Sequence, residues 1–409
     1  MIKAQNTYDY NHFIRFIYLG KHVMVINGRT GVWIKILKEV KDFIDKSIEA
    51  KLTLEETINK TEDIPTRNYV EELLEEMFSH SMLKDCKSDE NDKLKLDSVS
   101  FSLTNKCNLR CIHCANNSGE YIKNELDFKQ VCKIIDYISN LEIKELCLTG
   151  GEIFVREDID KILEYASEKF SGSLEIMSNG TLINNKEIAR LIFKTCDKVH
   201  LSLDGFDKDS VDKIRGPGIY EKVLKSITLL KDAGIDKITL SMVKTKINDD
   251  IKFKELCEKL GVKPVIRKLD PVGRGKECYD ELKLSSQNNE DVKMMRKNVR
   301  GNCFCKAGVT TIFIDEIGDV YPCDVLNFPE YRVGNFFHDN FSDNFQSDLR
   351  KIIEKLNICI LDQIEDCKEC NYRYFCSNGC PGIDRLIFNN ENYKKEICHY
   401  NKEKFKNLI

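Results

Sequence analysis

No stretch of this chain approaches the ~20 consecutive apolar residues that a membrane span needs, and no N-terminal signal peptide is legible. Charge of one sign is also lacking. The sequence has 63 Lys and Arg against 67 Asp and Glu, a net charge of −4 over 409 residues. Bulk attraction to nucleic acid or to anionic lipid is therefore not expected. The expected setting is cytoplasmic, with neither nucleic acid nor membrane as a partner. Without a secretion signal, the 18 cysteines read as metal ligands or redox groups and not as a disulfide framework. They are unevenly spread, with nine at or after position 303. Isolated Cys132, Cys147, Cys196 and Cys257 fall on apolar faces of predicted elements and read as small core hydrophobes. The length suggests two or three domains.

A further absence is local. Thr104 to Cys114 carries Cys107, Cys111 and Cys114 in the pattern C-x3-C-x2-C, directly after the alternating run Val99–Leu103, and the next cysteine is not reached until Cys132. Three thiolates on one tight loop can hold three irons of a cubane, leaving the fourth free for a small molecule. An electron-transfer ferredoxin would supply its fourth Cys. A structural zinc site would close with a fourth Cys or His, and His113 is the nearby candidate for that alternative.

Along the chain, His12–Tyr18 and His22–Ile26 read as two strands joined through Gly20. A helix is expected over Val32 to Ile48, with Trp33, Ile36, Leu37, Val40 and Phe43 at helical spacing. Thr53 with Glu56 forms a capping-box signature for a short helix, and Thr66 opens a helix over Tyr69 to Met82. The run Lys84 to Lys95 is a dense charged linker. From Asp97 to Pro271 strands and helices alternate as βα units. The strands are placed at Ser98–Leu103, Glu145–Leu148, Leu174–Ser178, Lys198–Leu203, Lys237–Val243 and Val262–Lys268. Their C-terminal ends, where barrels of this type keep their chemistry, carry Gly150-Gly151-Glu152, Ser178, Ser202 and Asp204. Beyond residue 303, the hairpin turn Ile317-Gly318-Asp319 presents Cys323, followed by Cys367-x2-Cys370-x5-Cys376-x3-Cys380 and Cys398. Two zinc sites in a ribbon-like tail are the alternative for these. No acid–base pair declares itself.

The loop Cys107–Cys114 resembles the signature of radical S-adenosylmethionine (SAM) enzymes. That resemblance implies a partial (β/α)6 barrel over 96–276 and a SAM-binding 4Fe–4S cluster on Cys107, Cys111 and Cys114, the catalytic group. It assigns cofactor contacts to Gly150, Gly151, Glu152, Ser178, Ser202, Asp204 and Arg215. Asp204 reads equally well as a satisfied strand-end cap, and Arg215 as the cap of its own loop. Leu269 to Gly275 resembles the adenine-side segment.

After a linker over 277–302, residues 303–409 resemble the small Cys-rich SPASM-type auxiliary domain of peptide and sulfatase maturases. There the resemblance implies two further 4Fe–4S clusters. Cys305, Cys323 and Cys380 go to the first, with Cys303 or an open iron as its fourth position; Cys367, Cys370, Cys376 and Cys398 go to the second. Residues 1–92 resemble the winged-helix-like leader-recognition domain akin to the small chaperone of quinone-cofactor biosynthesis. Together these imply an α/β protein that modifies a precursor peptide bearing a leader, with an electron donor such as flavodoxin or ferredoxin. A Cys thioether is the expected product. Carbon–carbon cross-linking, formylglycine formation and a non-catalytic metal scaffold are the alternatives.

Overall fold

The computed structural model describes residues 5–28, 32–86, 96–119, 124–283, 307–338, 340–356 and 365–373, with 382, 398–399 and 402–403. They divide into two units, one holding the N-terminal 93 residues and those from 355 onward, the other residues 94–288 and 307–354.

In the first unit, strands β1 (Tyr8–Tyr10), β2 (Ile14–Leu19), β3 (His22–Asn27) and β4 (Trp33–Leu37) precede helices α1 (Lys38–Glu49), α2 (Leu54–Asn59) and α3 (Ile64–Ser79) and the short β5 (Leu83–Asp85). Strands β2, β3 and β4 form an antiparallel sheet, and β1 pairs with β5. The helix expected from Val32 starts six residues later than its pattern suggests. Trp33, Ile34 and Ile36 fit both periods, but Ile34 and Ile36 lie opposite Val25 and Val23 of β3. Aromatic and β-branched residues with a waiting cross-strand partner favour the strand.

The helix expected at Tyr69 begins at Ile64 instead. Asp63 caps it by accepting from the Thr66 N–H at 2.8 Å, and Pro65 occupies the first turn. Thr53 forms its capping box as expected, accepting from the Glu56 N–H at 3.2 Å while Glu56 accepts from the Thr53 N–H at 2.8 Å. Thr53→Ala is expected to cost about 1 kcal/mol, read by chemical denaturation. Val23, Ile44, Val70, Leu74 and Met77 pack the core between sheet and helices.

In the second unit, β6 (Ser98–Ser102), β7 (Glu145–Thr149), β8 (Ser173–Ser178), β9 (Lys198–Ser202), β10 (Ile238–Lys244) and β11 (Lys263–Lys268) run parallel in that order. Each lies within a residue or so of its expected place. Helices α4 (Phe128–Ser139), α5 (Ile159–Lys169), α6 (Lys186–Thr195), α7 (Lys208–Arg215), α8 (Ile219–Asp232) and α9 (Asp250–Leu260) alternate with the strands. This is the partial (β/α)6 barrel.

Burial follows the period of two. Val99, Phe101, Leu146, Leu148, Ile176 and Val199 are fully buried on the face that must be covered by helices such as α4, which offers Val131, Ile134, Ile135 and Ile138. The alternate residues form a polar, concave face. There Glu175 accepts from His200 Nε2 at 2.6 Å and pairs with Lys198 at 3.1 Å, while His200 Nδ1 meets Thr239 Oγ1 at 2.6 Å.

Burial pushes the Glu175 carboxyl up, but His200 and Lys198 together outweigh it and hold the group below its ordinary value. A carboxylate depressed in the folded state contributes stability above its unfolded pKa, about 4.3. That contribution is lost as pH falls through the folded value. The stability gap between wild type and Glu175→Gln is therefore expected to be widest at pH 7 and to close below pH 4, in urea melts across that range.

The sheet extends beyond the barrel. β12 (Thr311–Ile314) adds in parallel to β6, and β13 (Asp319–Tyr321) and β14 (Gly334–Asn335) follow antiparallel, making nine strands. The hairpin was expected; its pairing with the first barrel strand was not. Helix α10 (Phe341–Leu356) closes over it, with Phe336 and Phe345 edge-on and Phe341 tilted against Tyr137 of α4. Of the isolated cysteines, Cys257 is fully buried. Cys132, Cys147 and Cys196, expected in the core, are only partly buried; burial still pushes the thiols of Cys147, Cys196 and Cys257 up to about 12. Among the described residues, no helix is long and apolar enough to cross a membrane.

Candidate active site

The loop after β6 is clamped on both sides by backbone. The Gly151 N–H donates to the Thr104 carbonyl at 2.7 Å, and the Glu152 N–H to the Lys106 carbonyl at 2.9 Å. A Cβ at Gly151 would sit 2.2 Å from the Lys106 carbonyl oxygen. One at Gly150, whose φ is 148°, would sit 2.5 Å from that of Thr104. These glycines let the cysteine loop approach the end of β7. From the other side Arg274, in the segment read as adenine-side, donates through Nε to the Cys111 carbonyl at 2.9 Å and through Nη1 to the Ser118 carbonyl at 2.8 Å. The Arg274 N–H meets the Cys114 carbonyl at 3.0 Å. Glu125 accepts from the Asn105 N–H at 2.9 Å and from Thr104 Oγ1. The Ile112 N–H binds the last-turn carbonyl of α7 at Ile214, 3.1 Å away.

Cys111 is buried, and Cys107 and Cys114 are partly buried. Cys107 Sγ receives the Leu109 N–H at 3.4 Å and faces Asn179 Nδ2 at 3.8 Å, and Arg215 Nη1 lies 3.9 Å from Cys111 Sγ. Burial pushes both thiols up, the Leu109 N–H pulls Cys107 back, and the Arg215 guanidinium pulls Cys111 back. Donors aimed at sulfur suit an anionic iron–sulfur cluster, whose thiolates are stabilised by N–H groups and nearby cations. Among the described residues, no three His, Cys, Asp or Glu side chains are grouped to hold a single metal ion. His113 Nε2, which a zinc knuckle would use, is committed to Asp204 Oδ2 at 2.7 Å.

The five polar residues singled out in the sequence lie around this loop, four of them in two buried pairs, Glu152 with Ser178 and Asp204 with Arg215. Glu152 is fully buried and accepts from Ser178 Oγ at 2.8 Å, the Asn179 N–H at 2.7 Å and the Phe154 N–H at 3.2 Å. Burial pushes its carboxyl up, and these donors oppose it. Asp204, also buried, accepts from Arg215 Nε at 2.7 Å, from His113 and from the Val243 N–H at 2.6 Å. Burial alone would raise its carboxyl, but Arg215 and His113 outweigh that and hold it far below the carboxylate range. Ser202 is half-buried at the end of β9, beside Ser241 Oγ at 3.4 Å.

Sequence reasoning missed Arg274, Glu125 and Asn179. Asn179 stood adjacent to Ser178 in Met177-Ser178-Asn179-Gly180, and Arg274 within the segment read as adenine-side, but neither was singled out, and Glu125 carried no signal.

Cys323 follows β13 and opens a short 3-10 turn. Cys367 lies on the helix Glu365–Lys368, and the Cys370 N–H donates to the Cys367 carbonyl at 2.9 Å. Cys398 is partly buried. Cys303, Cys305, Cys376 and Cys380 lie outside the described residues.

Residues 101–260 match the Radical SAM superfamily, and residues 303–371 match the Iron-sulfur cluster-binding domain. The mycofactocin maturase MftC of Mycobacterium ulcerans (strain Agy99) is 28% identical over 69% of this chain and 82% of its own length. The antilisterial bacteriocin subtilosin biosynthesis protein AlbA of Bacillus subtilis (strain 168) is 27% identical over 74% and 71%. The crystal structure of Streptococcus suis SuiB bound to precursor peptide SuiA superposes with a TM-score of 0.56 over 95% of this chain and 98% of that one, at 16% identity. That last likeness is one of fold.

Proposed function

The chain joins a radical SAM domain to an iron–sulfur cluster-binding domain, and on that premise we propose that it matures a ribosomally made precursor peptide. The observation that carries the reading is the clamped loop of Cys107, Cys111 and Cys114, with His113 turned away into Asp204. A 4Fe–4S cluster held by Cys107, Cys111 and Cys114 would supply one electron to bound SAM, the chemistry that lets a hydrogen atom be taken from carbon. The chain's own groups do the rest. Gly150, Gly151 and Arg274 fix the loop, and Leu109 and Asn179 donate toward Cys107.

The peptide class of substrate is supported by the names of two relatives, a mycofactocin maturase and an antilisterial bacteriocin subtilosin biosynthesis protein. It is supported too by the first unit, whose β2–β3–β4 sheet has edge strands at β2 and β4. A leader peptide would add there as a further strand. Tyr18 on β2 and Leu37 on β4 are exposed large apolar side chains suited to its alternate residues. Glu71, Glu72, Glu75 and Glu76 are exposed on α3 and would repel a phosphate backbone. Within that class, thioether closure by a cysteine sulfur fits a domain able to accept the electron released as the C–S bond forms.

The test is anaerobic reconstitution with iron and sulfide, then dithionite and SAM, with 5′-deoxyadenosine and metal measured on one sample. About twelve irons per chain, as three 4Fe–4S clusters require, with 5′-deoxyadenosine formed, is the expected result. Zinc in place of iron, or no 5′-deoxyadenosine, would overturn the reading in favour of a metal scaffold.

A further inference from the structure

We propose that the buried pair Asp204–Arg215 sets the reduction potential of the cluster on Cys107, Cys111 and Cys114, as a positioning device for charge. The inference rests on the assignment of that cluster in the preceding reading. Arg215 ends α7, where Gly216 at φ 109° breaks the helix, and its side chain is only 9% exposed. Its fork is split between two partners. Nε and Nη2 hold Asp204 Oδ2, at 2.7 and 2.5 Å, and Nη1 faces Cys111 Sγ at 3.9 Å.

A cluster that accepts one electron gains one negative charge. A guanidinium against a ligand sulfur, away from water, favours that reduced state and raises the potential. The carboxylate stands behind the guanidinium and opposes it more weakly. The pair therefore biases the cluster by the difference between a near positive and a farther negative charge.

Asp204 is held in place at some conformational expense. It is a non-glycine residue at φ 65°, a left-handed conformation that is disfavoured for most side chains. Its carbonyl accepts from Asn248 Nδ2 at 2.9 Å, and its Oδ1 from the Val243 N–H. His113, between Cys111 and Cys114 in the loop itself, takes Oδ2 as well. The backbone of β10, its following loop and the cysteine loop all converge on this one carboxylate. Such over-determination fixes where the charge of Arg215 sits relative to Cys111.

The signs separate this role from a structural one. Arg215→Gln removes the near positive charge and is expected to lower the potential. Asp204→Asn removes the opposing negative charge and is expected to raise it. Arg215→Lys keeps the charge and should stay nearer wild type than Arg215→Gln. The double variant Arg215→Gln/Asp204→Asn leaves no unpaired buried charge and should lie below wild type, even where Arg215→Gln alone folds poorly.

The measurement is an anaerobic redox titration of the reconstituted full chain followed by electron paramagnetic resonance. The relevant signal is the one that changes when SAM is added and is missing from the Cys107/Cys111/Cys114→Ala variant. At a potential where the wild-type signal is half reduced, the reduced-to-oxidised ratio is expected to fall about tenfold in Arg215→Gln, a shift of ~59 mV for one electron, and by less in the double variant. It is expected to rise in Asp204→Asn. Unchanged ratios, shifts of one sign in both single variants, or loss of cluster uptake in all four variants would overturn this inference and leave the cluster assignment standing. Absence of any SAM-responsive signal in wild type would overturn both.

Discussion

With Cys107, Cys111 and Cys114 replaced together by alanine, 5′-deoxyadenosine formation is expected to vanish while iron falls from about twelve to about eight per chain. The two readouts are needed together. All three thiols sit on one loop whose fold is held by backbone, through Gly151, Glu152 and the Arg274 N–H, none of which needs the sulfurs. The loop should therefore keep its path in the variant, and the cysteines beyond residue 303 should still load. Loss of all iron would mean that the loop nucleates the whole assembly. Retention of twelve would mean that these three cysteines hold no cluster. Retained 5′-deoxyadenosine would place SAM cleavage elsewhere in the chain.

Gly151→Ala is expected to have nearly as large an effect from a single methyl group. Its Cβ would fall 2.2 Å from the Lys106 carbonyl oxygen and 2.8 Å from that of Asn105, both backbone atoms immediately before Cys107. Backbone cannot rotate away as a side-chain tip can, so the cysteine loop must shift. Such overpacking typically costs about 1–3 kcal/mol, which a unit of this size survives. Three thiols arranged for one cubane would not survive the displacement as a site. The expected outcome is a folded chain lacking about four irons and making no 5′-deoxyadenosine. Gly20→Ala is the control, because nothing lies within 4 Å of its Cβ and only its φ of 59° resists. That change is expected to cost about 1 kcal/mol and leave iron uptake intact.

The sequence revealed what is local or periodic. All six barrel strands followed from alternation and from the turns between them, and the thiol loop from its spacing after β6. Trp33–Leu37 was misread because five apolar-rich residues satisfy two periods at once, and only β3 alongside decides between them. The Asp204–Arg215–His113 network was invisible as a unit. Its members come from the end of β9, the end of α7 and the cysteine loop, and no spacing rule links them. Arg274 was hidden for the same reason, since a lone Arg between two glycines carries no sign of the carbonyls it will reach.

The parallel pairing of β12 with β6 also bears on the order of events during synthesis. Ser102 at the end of β6 hydrogen-bonds Glu316, 214 positions later. Until that segment leaves the ribosome, the first barrel strand is paired only with β7 and presents a free edge. Long-range parallel pairing of this kind is slow to form, and an open edge can template pairing with other chains. A nascent or truncated chain ending before residue 311 is thus the aggregation-prone species, and yield in a heterologous host should depend on how quickly synthesis passes that point.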